Sequence, residues 1–276
     1  MRVIRSVRAL QNWRRRQLST KGTIGFVPTM GALHPGHLAL IQRARRSCKT
    51  LVVSIFVNPL QFGPKEDLKR YPRALKRDLD LCRKNDVDVV FMPSQKDLYP
   101  NRFQTGVSQS QLMQRWEGAH RPTHLHGVAT VVTKLLNLVQ PGKAFFGQKD
   151  YQQYLVIDQL VKDLNLDVKI VRCATVRDQD GLAWSSRNQY LGPKQRQNAT
   201  ILFKALVATR EAINAGQRAT KVILRKSSRR IASIPNITID YFAVCDAGTL
   251  EPVNVAKGKI VLLGAIRIGQ VRLIDN

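Results

Sequence analysis

The stretch Phe26-Val27-Pro28-Thr29-Met30-Gly31-Ala32-Leu33-His34-Pro35-Gly36-His37 restricts the fold of this 276-residue chain more than any other. The apolar run from Thr23 to Val27 predicts a buried strand, which Pro28 is expected to end. A glycine-bearing loop follows. Pro35 and Gly36 suit the first turn of a helix that continues through Leu38, Leu40 and Ile41. Two imidazoles therefore fall at a helix mouth, beside free backbone N–H groups. In an α/β sheet, that is where phosphate binds.

The pattern repeats along the chain. Leu51 to Val57 is a second apolar, β-branched run, expected as a parallel buried strand with the loop 58–63 at its carboxyl end. Leu68 to Asn85 predicts one or two helices, and Val87 to Met92 a strand stopped by Pro93. Helical spacing runs from Val128 to Val139. Lys143 to Phe146 predicts a strand, followed by the loop Gly147-Gln148-Lys149-Asp150. A helix is expected over Gln152 to Leu164 and a strand over Val168 to Val171. This alternation specifies an α/β fold with a doubly wound, Rossmann-like parallel sheet. Ligands of such sheets lie outside the carboxyl ends of the strands, so the loops at 28–37, 58–63 and 147–153 should converge.

Beyond about residue 175 the texture changes. A turn is expected over Asp178 to Gly181, and helices over Lys194 to Ala215 and Lys221 to Ser233. Short strands are expected over Ile237 to Val244, Ile260 to Leu263 and Ile266 to Ile268. The expected division is a larger domain over 1–175 and a smaller α+β domain over 176–276.

The chain carries 45 Lys and Arg against 19 Asp and Glu, a formal charge of +26. The first 65 residues hold 12 cations and no acid. The excess is nonetheless spread: 29 cations and 12 acids over 1–175, 16 and 7 over 176–276. A binding arm concentrates its charge, so no nucleic-acid partner is expected. Four dispersed cysteines form no CxxC pair, which points away from disulfides and zinc and toward a cytoplasmic setting. No apolar stretch approaches the ~20 residues of a membrane helix. The Arg-rich, acid-free start resembles a transit peptide. Val7, Leu10 and Trp13 instead suggest one face of a structural helix ending before Lys21-Gly22, retained in the mature protein.

His34 and His37 lack a nearby third ligand, so a role as N–H donors to phosphate oxygens is expected and a metal site is not. HPGH resembles the HxGH signature of the nucleotidylyltransferase superfamily. The longer blocks FVPTMGALHPGH, VVSIFVNPLQFGPKEDLKRYPR, FFGQKDYQQ and DGLAWSSRN resemble, in order and spacing, the pantoate–β-alanine ligase family.

That resemblance implies a carbon–nitrogen ligase of pantothenate biosynthesis. ATP, accompanied by Mg²⁺, activates pantoate as an adenylate with release of pyrophosphate, and β-alanine then displaces AMP. It implies that His34, His37, Lys149, Ser185, Ser186 and Arg187 are catalytic. ATP is bound by these residues with Met30, Gly147, Asp150 and Val176. Pantoate is held by Asn58, Gln61 and Gln153. Arg121, in WEGAHRPTHLHG, is expected to help order the site, while Glu117 is left open between a part in that loop and a surface carboxylate. The smaller domain is implied to be a lid carrying Ser185–Arg187, and the larger domain to pair as a homodimer. Gln148 stands where the family usually has an acid, and Trp184 where it usually has Met or Leu. A nucleotidylyltransferase with another small acceptor and a basic nucleic-acid-binding protein are the alternatives on the same fold.

Overall fold

The computed structural model describes residues 1–17, 23–64 and 66–276. The chain divides into two compact units, Met1–Gly147 with Gln153–Ala174, and Gln148–Gln152 with Thr175–Asn276.

The first unit contains β1 (Arg2–Ile4), α1 (Val7–Gln17), β2 (Ile24–Thr29), α2 (Pro35–Ser47), β3 (Thr50–Ile55), α3 (Leu75–Lys84) and β4 (Val89–Phe91). Two single-turn helices, α4 (Gln95–Leu98) and α5 (Glu117–His120), precede α6 (His124–Val139), β5 (Lys143–Gly147), α7 (Tyr151–Asp163, its first two residues counted with the second unit) and β6 (Lys169–Cys173). The six strands form one sheet in the order β1-β4-β3-β2-β5-β6. Every pair is parallel.

The period-2 geometry of a strand explains why these runs are apolar throughout. Phe26, Val52, Val89, Phe91, Ala144 and Phe146 face one layer with Leu10 and Trp13 of α1, the apolar side of α6, and Val156, Ile157 and Leu160. Their neighbours Val27, Leu51, Val53, Val90 and Phe145 face the other, with Leu40, Ile41 and Ala44 of α2 and Cys82 of α3. The doubly wound reading holds on both faces.

Two details depart from expectation, at Pro28 and at the first strand. Pro28 does not end β2 but lies within it, opposite Ser54 of β3. The Thr29 carbonyl faces β3, where it accepts from Phe56 N–H. The Pro28 nitrogen therefore faces β5, which pairs with β2 only at Gly25 and Phe26. No ladder bond is lost there. The region 68–85 forms one helix, α3, preceded by turns. Strand β1, pairing with β4, precedes the first helix. The expected end of that helix, before Lys21-Gly22, lies outside the described residues.

The second unit contains α8 (Pro193–Asn214), α9 (Thr220–Ala232), β7 (Ile237–Asp246), β8 (Ile260–Ile268) and β9 (Val271–Asp275). The strands make an antiparallel sheet in the order β7-β8-β9. The two short strands expected over 260–268 are a single strand, and β9 was not anticipated. Gly264 looks like a break in the sequence. In the fold, a Cβ there would stand 2.6 Å from Leu202 Cδ1 of α8 and 3.1 Å from Phe242. The glycine therefore admits the helix against the sheet rather than interrupting the strand. Leu202, Leu206, Ile231, Ile266, Ile268 and Leu273 form the core of this unit.

Candidate active site

The histidine loop is built from the end of β2. Thr29 Oγ1 donates to the Ser54 carbonyl at 2.7 Å and accepts from Gly31 N–H at 3.2 Å. The chain then turns through two left-handed residues, Gly31 (φ +82°) and Ala32 (φ +50°). Their strain is met by a carboxylate that sequence reasoning missed. Asp78, 1% exposed on α3, accepts from Ala32 N–H and Leu33 N–H, each at 2.8 Å. Helix α2 starts immediately after, with Leu38 N–H donating to His34 O at 3.1 Å.

The two imidazoles stack with ring centroids 4.0 Å apart and planes at 36°. His34 N–H donates to His37 Nδ1 at 3.4 Å. That bond makes Nδ1 the acceptor and places the proton of the neutral ring on Nε2. His37 is thereby prepared as an N–H donor at the helix mouth.

Burial raises the Asp78 pKa, with the Leu33 and Ala32 N–H groups and Arg77 opposing it. Burial, reinforced by the Asp78 charge, pushes the neighbouring Cys82 thiol up to about 12. Cys82 is therefore an inert core thiol. One signal for Asp78 was present: it stands four residues before Cys82, on the face that α3 buries. An acid on the apolar side of an amphipathic helix needs a donor set, and the loop supplies it.

The second loop forms a 3₁₀ turn over Pro59–Gln61, with Asn58 as its N-cap. The Asn58 amide is 1% exposed and fully committed. Its nitrogen donates to Gln61 Oε1 at 3.1 Å and to Gly127 O at 3.0 Å. Its oxygen accepts from Leu60 N–H at 3.3 Å and from the Tyr99 hydroxyl at 2.7 Å. Two donors and two lone pairs are thus used, and none remains for a substrate. Gln61 differs, because its Nε2 rests on Met30 Sδ at 2.9 Å. A thioether is a weak acceptor, which an incoming carboxylate or hydroxyl readily replaces.

The Gln61 backbone is held from the opposite side. Its carbonyl accepts from Arg121 Nη2 at 3.3 Å and lies 3.0 Å from His124 Nδ1. Arg121 grips Glu66 through Nε at 2.7 Å and Nη2 at 2.6 Å. Burial works against the Glu66 charge, but Arg121, His124 and the Gly63 N–H outweigh it and lower its pKa. Glu117, left open between the loop and the surface, is 5% exposed, with its carboxylate 3.8 Å from Arg121 Nη1 as a second negative charge beside the guanidinium.

Gly127 admits α6 against this turn: a Cβ there would stand 2.3 Å from Leu60 O and 2.5 Å from Gln61 N. Gly127→Ala must push the turn away. We expect a loss of about 10²-fold in kcat/KM from displacement of this order. Steady-state kinetics with each substrate varied in turn checks this.

In the sheet, β3, β2 and β5 are neighbours, and the connectivity reverses between β2 and β5. The loops bearing His34, His37, Gln61 and Gly147 thus share the carboxyl edge at the switch point. Gly147 ends β5 opposite Cys173. Gln153 is half-buried in the first turns of α7.

Lys149 and Asp150, expected with the larger domain, belong to the second unit. They lie in a 3₁₀ turn, Gln148–Asp150, with Lys149 Nζ 3.3 Å from Asp150 Oδ1. Val176 faces Trp184 in a short hairpin, where Trp184 N–H donates to Val176 O at 3.0 Å. Ser185 caps the next 3₁₀ turn, Ser186–Tyr190, its Oγ accepting from Arg187 N–H at 3.3 Å. The hairpin turns at Gly181 (φ +91°), where a Cβ would stand 2.1 Å from the Phe203 ring. Gly181→Ala is expected to destabilise the second unit by at least about 1–3 kcal/mol of backbone strain. Urea unfolding monitored by tryptophan fluorescence measures it.

Among the described residues, no group of three His, Cys, Asp or Glu is arranged to hold a metal ion. None of the helices described is long and apolar enough to cross a membrane. A Rossmann-like sheet with an HxGH loop at its switch point and a glutamine-bearing loop on the same edge has the form of a nucleotide-binding α/β enzyme.

The family model described as Pantoate-beta-alanine ligase matches residues 2–276. The pantothenate synthetase of Acetivibrio thermocellus is 48% identical over 276 residues, covering 100% of this chain and 98% of its own. That of Syntrophomonas wolfei is 44% identical over 277 residues, with the same coverage. The crystal structure of pantothenate synthetase from Thermus thermophilus matches with a TM-score of 0.94 at 45% identity, covering 100% of this chain and 98% of that one. The Francisella tularensis pantoate-β-alanine ligase, solved in complex with β-γ ATP and β-alanine, matches with a TM-score of 0.82 at 34% identity, covering 100% and 96%. The chain belongs to the pantoate–β-alanine ligase family and is a carbon–nitrogen ligase.

Proposed function

We propose that this chain joins pantoate to β-alanine in two steps. A pantoate carboxylate oxygen attacks the α-phosphorus of ATP, the bond to the β-phosphate bridging oxygen breaks, and pyrophosphate leaves. The β-alanine nitrogen then bonds to the acyl carbon, the acyl C–O bond breaks, and AMP leaves with that oxygen while the amine releases a proton. The observation that carries this reading is the histidine pair at the mouth of α2, with His37 held as an Nε2–H donor.

Each residue then has work suited to its chemistry. His34 and His37 donate to phosphate oxygens, where charge grows in the transition state. Lys149 neutralises phosphate charge, and Arg187, with Ser185 and Ser186, holds the departing pyrophosphate with a planar fork of donors. Asp150 and the Gly147 backbone take the ribose hydroxyls, Val176 the base, and Met30 closes over the acyl pocket. Gln61 exchanges its thioether contact for pantoate, and Gln153 binds the same substrate. These neutral amides leave the nucleophilic carboxylate uncompensated. Asn58, already saturated by the protein, acts by aiming Gln61. Mg²⁺ enters with ATP, as part of that substrate. The smaller domain acts as a lid that excludes water from the adenylate, and the enzyme works in the cytoplasm as a homodimer.

The test is formation of pantothenate and AMP by purified protein with pantoate, β-alanine and Mg-ATP. The expected result is one AMP per pantothenate and no product when any substrate is omitted. ADP as the nucleotide product, or nucleotide transfer without the amine, would overturn the reading.

A further inference from the structure

We infer that Asp275 and Asn276 are a positioning pair that fixes the Lys149 turn and the segment leading to Ser185 in one frame, so that ATP affinity depends on Asn276. The inference rests on the proposed reading of Lys149, Val176 and Ser185–Arg187 as nucleotide-binding residues.

The Asn276 side chain spends both N–H groups on one short turn. Nδ2 donates to Gln148 O and to Lys149 O, each at 2.8 Å. Its Oδ1 accepts from Gln148 Nε2 at 3.4 Å. A three-residue 3₁₀ turn satisfies few of its own carbonyls, so an external amide decides how it sits. Among the described residues, the Lys149 ammonium is paired with Asp150, at 3.3 Å, and that carboxylate is 43% exposed. The direction of Lys149 is therefore set through its backbone, and Asn276 holds that backbone.

The preceding residue ties down the other segment. Asp275, 5% exposed at the end of β9, takes Arg177 bidentately at 2.5 and 2.9 Å. Arg177 also donates to Gly181 O and to Asn276 O, each at 3.1 Å, and lies 4.3 Å over the Phe203 ring. Arg177 follows Val176, and Val176 pairs through its carbonyl with Trp184, the residue before Ser185. Asp275 further accepts from Asn276 N–H at 2.8 Å. A continuous chain of short polar contacts thus runs from the Lys149 carbonyl through Asn276, Asp275 and Arg177 to the hairpin 176–184. The Asp275–Arg177 pair has an evident structural role as a shielded ion pair. The Asn276 amide is separable from it, and its loss leaves two carbonyls facing the space it filled.

The experiment measures ATP affinity by calorimetry, without turnover, for wild type, Asn276→Ala, Asn276→Asp and Lys149→Ala, with thermal unfolding midpoints and KM for pantoate alongside. Asn276→Asp keeps the shape but sets a carboxylate against two carbonyl oxygens. The expected result is ATP binding weakened about tenfold in Asn276→Ala and more in Asn276→Asp, with pantoate KM within about twofold of wild type. Should Asn276→Asp fail to fold, Asn276→Ala carries the test alone. ATP binding within twofold of wild type in a folded Asn276→Ala, while Lys149→Ala binds ATP weakly, overturns the inference and leaves the functional reading standing. Unchanged ATP binding in Lys149→Ala overturns both.

Discussion

His37→Ala is expected to lower kcat by about 10²–10³-fold, the usual cost of removing one donor aimed at developing charge. His34 N–H occupies Nδ1 of His37, so the opposite nitrogen carries the proton and cannot turn into an acceptor without losing that bond. The ring is half-buried and stacked on His34 at 4.0 Å, which limits its rotation. Such a donor costs little reorganisation when charge moves onto a phosphate oxygen. KM for pantoate is expected to stay near wild type, because Gln61, proposed to bind pantoate, lies on a different loop. Pre-steady-state measurement of pyrophosphate release separates the first chemical step from product release. A variant that forms pyrophosphate at the wild-type rate would remove His37 from the mechanism.

Asp78→Asn is expected to reduce kcat/KM about 100-fold at neutral pH without touching any substrate. The carboxylate accepts from two successive backbone N–H groups at 2.8 Å. An asparagine offers one acceptor and turns an N–H toward the second donor. Leaving a buried donor unpaired costs about 1–3 kcal/mol, and a 1 Å shift of catalytic groups costs about 10²-fold in rate. The strained residues Gly31 and Ala32 give the loop a ready way to relax.

The pH dependence carries a sign. Burial raises the Asp78 pKa above its ordinary 3.8. Stability linked to this group is therefore fully present below the unfolded pKa and declines as pH rises through the folded one. Activity runs the other way, because only the ionised carboxylate accepts both loop N–H groups. Wild-type kcat/KM is expected to fall as pH drops through the raised pKa, whereas Asp78→Asn, already lacking the second acceptor, is flat across that window. Parallel pH profiles for the two proteins would contradict this role.

Strand and helix placement was legible because a doubly covered sheet demands apolar residues on both faces, as Phe26 and Val27 show by pointing into opposite cores. Pro28 and Gly264 misled because each is locally a breaker. Their tolerance depends on a neighbour, the short reach of β5 in one case and the closeness of Leu202 in the other. At the site, the histidine loop and Gln61 stood where a strand-end argument put them. For Asp78 the only local signal was its place on the buried face of α3; its partners were hidden, because the donors lie 45 and 46 residues away along the chain. Asn58 was legible as a turn residue, but its saturation by Gly127, Tyr99 and Gln61 requires three separate segments to meet. The assignment of Lys149 to the second unit was likewise hidden, since it depends on an amide 127 residues further on.

The most direct test of the adenylate mechanism is the fate of the pantoate carboxylate oxygen. Pantoate labelled with ¹⁸O in its carboxylate is incubated with the enzyme, Mg-ATP and β-alanine, and the AMP is analysed by mass spectrometry. One ¹⁸O atom per AMP is the predicted result, because the attacking oxygen stays on the α-phosphorus when the amine displaces it. Unlabelled AMP, with one labelled oxygen kept in the pantothenate amide and the other found in pyrophosphate, would contradict the account.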